Sequence, residues 1–414
     1  MPLPFTTPET SEAINKLVYR WTTLDLRIIA DRLTEAGSAE LWFYHSNGAG
    51  EKLLNVVKSN LLAISTMNQL AKRMAAHSAD VPWQQVLTYI TSSVMEYQRR
   101  GEPGVSLRPV SAEQNKPTYL INPLVMAGVP NVLFGDKGVN KTTLGLLSIG
   151  LLSCGYDLSP SGLIATAPSV GGILDWEGNA ELTNYTLARL VESSTIPYCE
   201  PEYLHCKLRL SDDIEHIGNW VTEHNIKFVL IDSLGAAAGS DKFDSAGKGA
   251  ALTFFESLRQ LKVTSLIIAQ NSKNETGQKT IYGSTFYTYY ARNVFELRKG
   301  KDTVSQDDAH IALIHTEGNY SKRFSPIGFH LSYTDTTILI EHEEVIFSQL
   351  LDRIEDTQAI CEFLRIERKL CSVDVIAEAI AKPKAQTLVV LSGLKRKGKI
   401  VNPSRGFWGI ASYD

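Results

Sequence analysis

Gly135-Asp136-Lys137-Gly138-Val139-Asn140-Lys141-Thr142-Thr143 is the stretch on which the reading of this chain turns. It follows the apolar run Asn131–Phe134 and leads into an apolar helical stretch. With one exception it matches the template G-x-x-x-x-G-K-[ST] of a phosphate-wrapping loop. Glycines let successive backbone N–H groups close around a β-phosphate, and the helix that follows turns its positive end toward the same anion. On this reading Gly135 to Thr143 cradle the phosphates, Lys141 reaches the β- and γ-phosphates, and the Thr142 hydroxyl ligates Mg2+. The exception is Asn140, which stands where the template has its second glycine. Asparagine is among the non-glycine residues that best tolerate the left-handed backbone region. Taken alone, the stretch also reads as a Gly-rich strand-to-helix turn that binds nothing.

The surroundings favour the first reading. Phe228-Val-Leu-Ile-Asp232-Ser233 is an apolar run ending in an acid, which is where Asp232 would hold Mg2+ through water. Gly172-Ile-Leu-Asp-Trp-Glu177 is another, lying between the two in sequence. A carboxylate at that tip, Glu177, is placed to polarise an attacking water as general base, with Asp175 the nearest other acid. Leu266-Ile-Ile-Ala-Gln270 ends in an amide able to sense a γ-phosphate. Further runs at Asn293–Leu297, Ala309–His315 and Thr337–Ile340 complete a series from about 119 to 343. Near-continuous apolar strands alternating with helices imply a parallel sheet covered on both faces. The last strands follow one another too closely for helices, so an antiparallel extension is expected.

The order of these motifs resembles the RecA/DnaB-type ATPase core. It is more closely similar to the RepA-like AAA-family ATPases of plasmids, phages and other mobile elements. The stretches that carry the likeness are Ile173–Asn179, Val229–Gly235, Tyr282–Thr285, Ala291–Leu297, and His315 through Phe329. The resemblance implies an α/β fold with a RecA-like P-loop ATPase core over 120–345. It also implies a DNA-associated ATPase that uses ATP and Mg2+ and assembles as a homo-oligomer of the hexameric-ring kind. The site it implies is catalytic at Lys141, Glu177, Asp232, Gln270 and Arg292, with Thr142 and Asp232 on the metal. Arg292 reads either as a channel residue or as a finger toward a neighbouring subunit's nucleotide. This sequence departs from the family at Asn140, at Gln270 where many relatives carry His, and at Glu317 where they usually carry Lys. Lys322 or Arg323 is then the nearest substitute for that cation.

Two flanking domains are expected. Residues 1–115 read as a mostly helical N-terminal domain, with helical spacing over Lys52–Ala76 and Val81–Arg99 and a possible strand at Ala39–His45. Residues 350–414 read as three helices (356–369, 372–381, 385–397) and a β-like tail turning at 403–406, which fits a C-terminal winged helix-turn-helix. Two DNA contacts follow. The segment 271–291 holds Lys273, Lys279, Tyr282, Phe286, Tyr287, Tyr289 and Tyr290. Charge with interleaved rings suits a single strand, although the rings equally suit a subunit interface. Residues 382–405 hold Lys382, Lys384, Lys395, Arg396, Lys397, Lys399 and Arg405 and no acid. That stretch suits a duplex backbone, or a solvated face of a protein-contact module.

Composition sets the outer limits. Forty-one basic against 45 acidic residues give a net charge of −4, so a uniformly basic nucleic-acid coat is excluded. No run of about 18 apolar residues points to a membrane span, and no membrane partner is expected. Met-Pro-Leu-Pro-Phe-Thr-Thr-Pro has no basic stretch leading into an apolar one, so a signal peptide is not expected. Five cysteines without a CxxC pair read as free thiols in a reducing cytoplasm. The function expected is a DNA-associated ATP-driven motor, a helicase or translocase. The alternative is a slow-turnover, ATP-switched DNA-binding regulator or loader.

Overall fold

A computed structural model describes residues 5–34, 36–47, 50–101, 104–109, 111–157, 159–239, 248–272, 281–282, 286–300, 307–320, 323–345, 356–380 and 382–411. They form two compact units. The first joins Met1–Lys116 to Asp213–His224, and the second joins Pro117–Asp212 to Asn225–Asp414.

The first unit is built on an antiparallel meander, β1 (Glu9–Ala13), β2 (Lys16–Trp21), β3 (Leu26–Asp31), β4 (Ser38–Asn47) and β5 (Gly50–Asn60), followed by α1 (Ile64–Ala75) and α2 (Trp83–Arg99). This corrects the mostly helical expectation for 1–115. Leu17, Tyr19 and Trp21 alternate inward, as do Leu26, Ile28 and Ala30, which is the two-residue period of a half-buried strand. The strand at 50–60 hides that period. A bulge between Phe43 and Tyr44 shifts the pairing, so Phe43 faces Asn55 while Tyr44 faces Leu53. As an edge strand it also leaves Leu53 and Val56 exposed. The helices bury Met67, Leu70, Met74, Val86, Leu87, Ile90 and Val94 in one cluster with the inward sheet residues.

The second unit opens with β6 (Tyr119–Asn122) and β7 (Val125–Met126), then β8 (Pro130–Gly135), α3 (Lys141–Cys154), β9 (Ile164–Ala165), β10 (Gly171–Asp175), α4 (Ala180–Glu192) and β11 (Glu202–His205). The chain then lends α5 (Ile214–Glu223) to the first unit. There Gly218 lies against Ile14, and Asn15 donates to Glu215 at 2.8 Å. The second unit resumes with β12 (Phe228–Asp232), α6 (Leu234–Ala238), α7 (Lys248–Gln260), β13 (Thr264–Gln270), α8 (Phe286–Tyr290), β14 (Asn293–Lys299), β15 (Asp308–Gly318), β16 (Ile327–Tyr333) and β17 (Ile338–Glu343).

Nine of these strands form one sheet in the order β11-β10-β12-β13-β8-β14-β15-β16-β17. The pairs from β11 to β14 are parallel and those from β14 to β17 antiparallel, as the spacing of the runs predicts. The fold is therefore mixed α/β with a large parallel sheet. Each parallel strand ends at the same edge, with Gly135, Asp175, Asp232 and Gln270 at the tips. The helix α3 is apolar nearly all round because it is buried nearly all round, Leu144, Leu147, Ile149 and Leu151 each being at most 1% exposed.

The C-terminal segment comprises α9 (Asp356–Glu367), β18 (Cys371–Ser372), α10 (Val373–Ala379), α11 (Lys384–Arg396), β19 (Ile400–Ser404) and β20 (Phe407–Ile410). Its strands pair in the order β18-β20-β19. Its core, including Ile360, Leu364, Ile376, Leu391 and Leu394, is continuous with Ala312 and Ile314 of β15. The five cysteines are free. Among the described residues no helix is long and apolar enough to cross a membrane.

Candidate functional site

The loop between β8 and α3 is shaped by two backbone requirements. At Gly135 a Cβ would collide with the carbonyl oxygen of Leu297 on β14, so only glycine lets the two strands approach. At Asn140 the chain takes φ 65°, ψ 29°, the left-handed conformation that the substituted glycine position demands. The asparagine meets it with its backbone alone, since its side chain makes no capping bond to α3. Gly138 also has positive φ. Lys141 is 8% exposed, and its Nζ donates to the carbonyls of Gly135 at 3.0 Å and Asp136 at 2.7 Å. Burial pulls its pKa down, against the opposing pull of Asp232, Asp136 and Glu177. A buried ammonium held only by carbonyls gains a better partner whenever an anion enters the loop.

Around this loop the strand tips converge. The Thr142 hydroxyl donates to Asp232 Oδ2 at 2.7 Å. The Asp232 carboxyl is pushed up to about 6, by burial above all and then by Glu177 and Asp175, against the opposing pull of the Thr142 bond and Lys141. Ser233 Oγ donates to Glu177 Oε1. The turn that presents Glu177 is pinned by its neighbours: Asp175 Oδ1 accepts from the N–H groups of Glu177 at 2.9 Å and Gly178 at 2.8 Å, and Trp176 N–H reaches the Asp232 carbonyl at 2.7 Å. Asn179 then caps α4 by accepting from Leu182 N–H. Beside Gln270, Asn271 Nδ2 donates to Asp136 Oδ1 at 3.0 Å and its N–H to the Gly135 carbonyl at 3.1 Å, tying the loop to the end of β13.

Lys141, Thr142, Asp232 and Glu177 are thus brought together, and Gln270 lies beside Gly135 in the sheet register. Arg292 is not with them. It immediately precedes β14, whose Asn293 pairs with Asn131 at the far end of β8 from the loop, and its guanidinium bonds the Tyr289 and Ala291 carbonyls. Of the aromatic residues expected to stack on single strands, Tyr282 and Tyr289 are exposed, but Tyr287 is buried and both Tyr287 and Tyr290 pack on Phe255. The short α8 buries Tyr287 and leaves Tyr290 half-buried against that phenylalanine. Lys273, Lys279 and Lys322 lie outside the described residues. The stretch 382–405 has no acid of its own, yet Lys382 pairs with Asp356 at 3.3 Å and Lys384 with Asp374 at 2.7 Å. Lys395, Arg396, Lys397, Lys399 and Arg405 stay exposed. His315 is buried and neutral: its Nδ1 accepts from Phe324 N–H, its Nε2 donates to the Glu317 carbonyl, and burial lowers its pKa.

Three residues at the site escaped the sequence reading of roles. Ser233 was visible as the neighbour of Asp232, and Asn271 as the neighbour of Gln270. Tyr203, whose hydroxyl donates to Asp175 Oδ2 at 3.0 Å, lies on β11, a strand with no apolar run to announce it. Thr142 and Asp232 offer hard oxygen donors of the kind Mg2+ takes, and the raised pKa marks a carboxyl that a cation would discharge. Among the described residues no group of three or more His, Cys, Asp or Glu side chains forms a metal site by itself.

No family model matches the chain, and no curated protein matches it. Among solved structures it is similar to a KaiC-like protein from the hyperthermophilic archaeon Pyrococcus horikoshii, at 16% identity, over 57% of this chain and 99% of that one, with a TM-score of 0.39. So loose a superposition fixes neither fold family nor activity.

Proposed function

We propose that the chain is a P-loop ATPase of RecA-like type that works on DNA. The observation that carries it is the convergence at one sheet edge of a buried lysine parked on loop carbonyls, a hydroxyl–carboxylate pair, and an exposed carboxylate steadied by a serine. Phosphates entering the loop take Lys141 from the carbonyls of Gly135 and Asp136 and meet the N–H groups at the start of α3. Thr142, and Asp232 through water, would hold Mg2+, which would supply charge neutralisation on the phosphates. Glu177 orients a water and takes its proton, the Ser233 bond fixing the carboxylate meanwhile. Gln270, at the neighbouring tip, reports on the γ-phosphate.

The DNA side of the proposal rests on exposed groups. Tyr282 and Tyr289 are exposed within the segment 271–291, read as a single-strand contact. Lys395, Arg396, Lys397 and Lys399 cluster at the end of α11 and just beyond it, in a unit we read as a winged helix meeting duplex DNA. Arg292, remote from its own loop, suits a role toward a neighbouring copy in a homo-oligomeric ring. Replication of a mobile element by a RepA-like helicase or translocase is the finest form of this reading.

Initial-rate ATP hydrolysis by the full chain, with and without single-stranded DNA, tests it. Hydrolysis stimulated by the strand is expected. No hydrolysis would overturn the ATPase. Unstimulated, slow hydrolysis with ATP-dependent duplex binding would select the regulator instead. Because Ala312 and Ile314 share their core with the C-terminal segment, charge reversal at Lys395, Arg396 and Lys399 tests duplex contact more cleanly than truncation does.

A further inference from the structure

We propose that Asp175 and Tyr203 are positioning residues for Glu177, a clamp that sets where the catalytic carboxylate stands; this rests on the ATPase reading above. Asp175 is the acid nearest to Glu177 in sequence and an obvious rival for the role of base. Its surroundings exclude that. It is 5% exposed, and both oxygens are engaged: Oδ1 by the N–H groups of Glu177 and Gly178, Oδ2 by the Tyr203 hydroxyl. Three of the carboxylate's roughly four acceptor sites are thus taken, and at 5% exposure the remaining one on Oδ2 is shut off from bulk water.

The same three bonds explain what it does. Two successive N–H groups on one carboxylate oxygen force the chain into a tight turn directly after β10, and charge assistance makes those bonds the strong ones of the tip. Gly178 completes the turn, since a Cβ there would come within 2.8 Å of Asp175 Oδ2. The backbone is held on both sides as well, by Trp176 N–H on the Asp232 carbonyl and Cys206 N–H on the Asp175 carbonyl. Tyr203 closes the arrangement from β11, where it sits opposite Ile173 in register and reaches past it to the acid. Burial, and then its bond to Asp175, keep the phenol protonated and so a donor. Glu177 is thereby fixed at its backbone by Asp175 and at its carboxylate by Ser233. A base displaced by about 1 Å loses on the order of 10²-fold in rate, so the clamp acts on turnover and leaves the phosphate loop alone.

Tyr203→Phe is the variant of choice because it removes one oxygen and leaves the ring. Asp175→Asn is its companion, since it keeps an acceptor for the turn but loses the charge. Both are made in the full chain, with and without Glu177→Ala, and kcat, KM for ATP, affinity for a labelled ATP analogue and melting temperature are measured. The expected result is a fall in kcat of roughly 10-fold for Tyr203→Phe and up to roughly 100-fold for Asp175→Asn, with KM and analogue affinity unchanged. In the Glu177→Ala background neither substitution should lower kcat further. An equal loss in both backgrounds, a rise in KM with kcat intact, or wild-type kcat in both variants would overturn the clamp. Full turnover by Glu177→Ala alone would strike the base assignment itself, a failure that this series separates from the other.

Discussion

The two ends of β8 meet polar side chains of opposite purpose, two fully buried asparagines at its start and a buried lysine with an exposed threonine beyond its tip. At the far end Asn131 and Asn293 are both fully buried. Asn131 accepts from Met126 N–H and Asn293 Nδ2 and donates to the carbonyls of Met126, Val129 and Ser265. Asn293 Nδ2 also reaches Leu124 at 3.1 Å. These bonds hold the β6–β7 hairpin to the sheet. At the loop end Lys141 bonds only carbonyls of its own loop, and Thr142 bonds only Asp232 among the described residues. The difference is whether the bonds can be exchanged. An amide wedged among backbone groups is a fixture, while an ammonium resting on its own loop is waiting for a stronger partner.

The sharpest way to break this contrast is at Lys141. Lys141→Ala should weaken ATP binding by roughly 10³-fold, because the loop loses its buried cation. Stability should change little, since the carbonyls it leaves turn to water. Undiminished binding of a labelled ATP analogue would end the comparison. Asn131→Ala should do the converse. Orphaning several buried backbone groups costs about 3 kcal/mol of unfolding free energy, read from denaturant titration, with ATP affinity unchanged below the transition. A loss of ATP affinity with stability intact would show that this end of the sheet is not merely structural.

A smaller effect sharpens the electrostatics. Asp232 is held up to about 6, above its ordinary value near 3.8, by burial first and by Glu177 and Asp175 after it. The folded form therefore binds that proton more tightly than the unfolded form. The resulting stabilisation is complete below pH 3.8 and is lost as pH rises through 6. The nucleotide-free chain should be less stable at pH 8 than Asp232→Asn by about 2 kcal/mol, and Mg2+ with ATP should narrow the gap. Equal melting temperatures for the two at pH 8 would show that the carboxyl is not strained.

The smallest effect concerns Asn140. Its backbone is left-handed and its side chain caps nothing, so Asn140→Gly should relieve at most about 1 kcal/mol and raise ATP affinity and turnover a few-fold. A fall in both would show that the amide has become a ligand for the nucleotide.

What the sequence reveals follows the same physics. The inner parallel strands are legible because each is buried on both faces and therefore apolar, as at Phe228–Asp232, whereas the half-exposed edge strand β11 is not. The loop is legible because its geometry admits few residue types, and even the substitution at Asn140 respects that geometry. The first unit is less so: its bulge and exposed edge strand blur the alternation over 50–60 into apparent helical spacing. The helix α5 lies in sequence among the strands of the second unit but is claimed by the first through Ile14, Asn15 and Lys16, a long-range contact that no local pattern encodes. The clamp of Asp175 and Tyr203 is hidden for the same reason, since the partners come from separate strands, one of them short and half-exposed.

The claim at the centre is that Glu177 performs proton transfer at a site which binds ATP without it. Turnover and analogue affinity measured side by side for the wild-type chain and Glu177→Gln test this most directly. Unchanged affinity is expected, with hydrolysis slowed by roughly 10²–10⁴-fold. Near-normal hydrolysis by Glu177→Gln, or a wild-type chain that does not bind ATP, would contradict it.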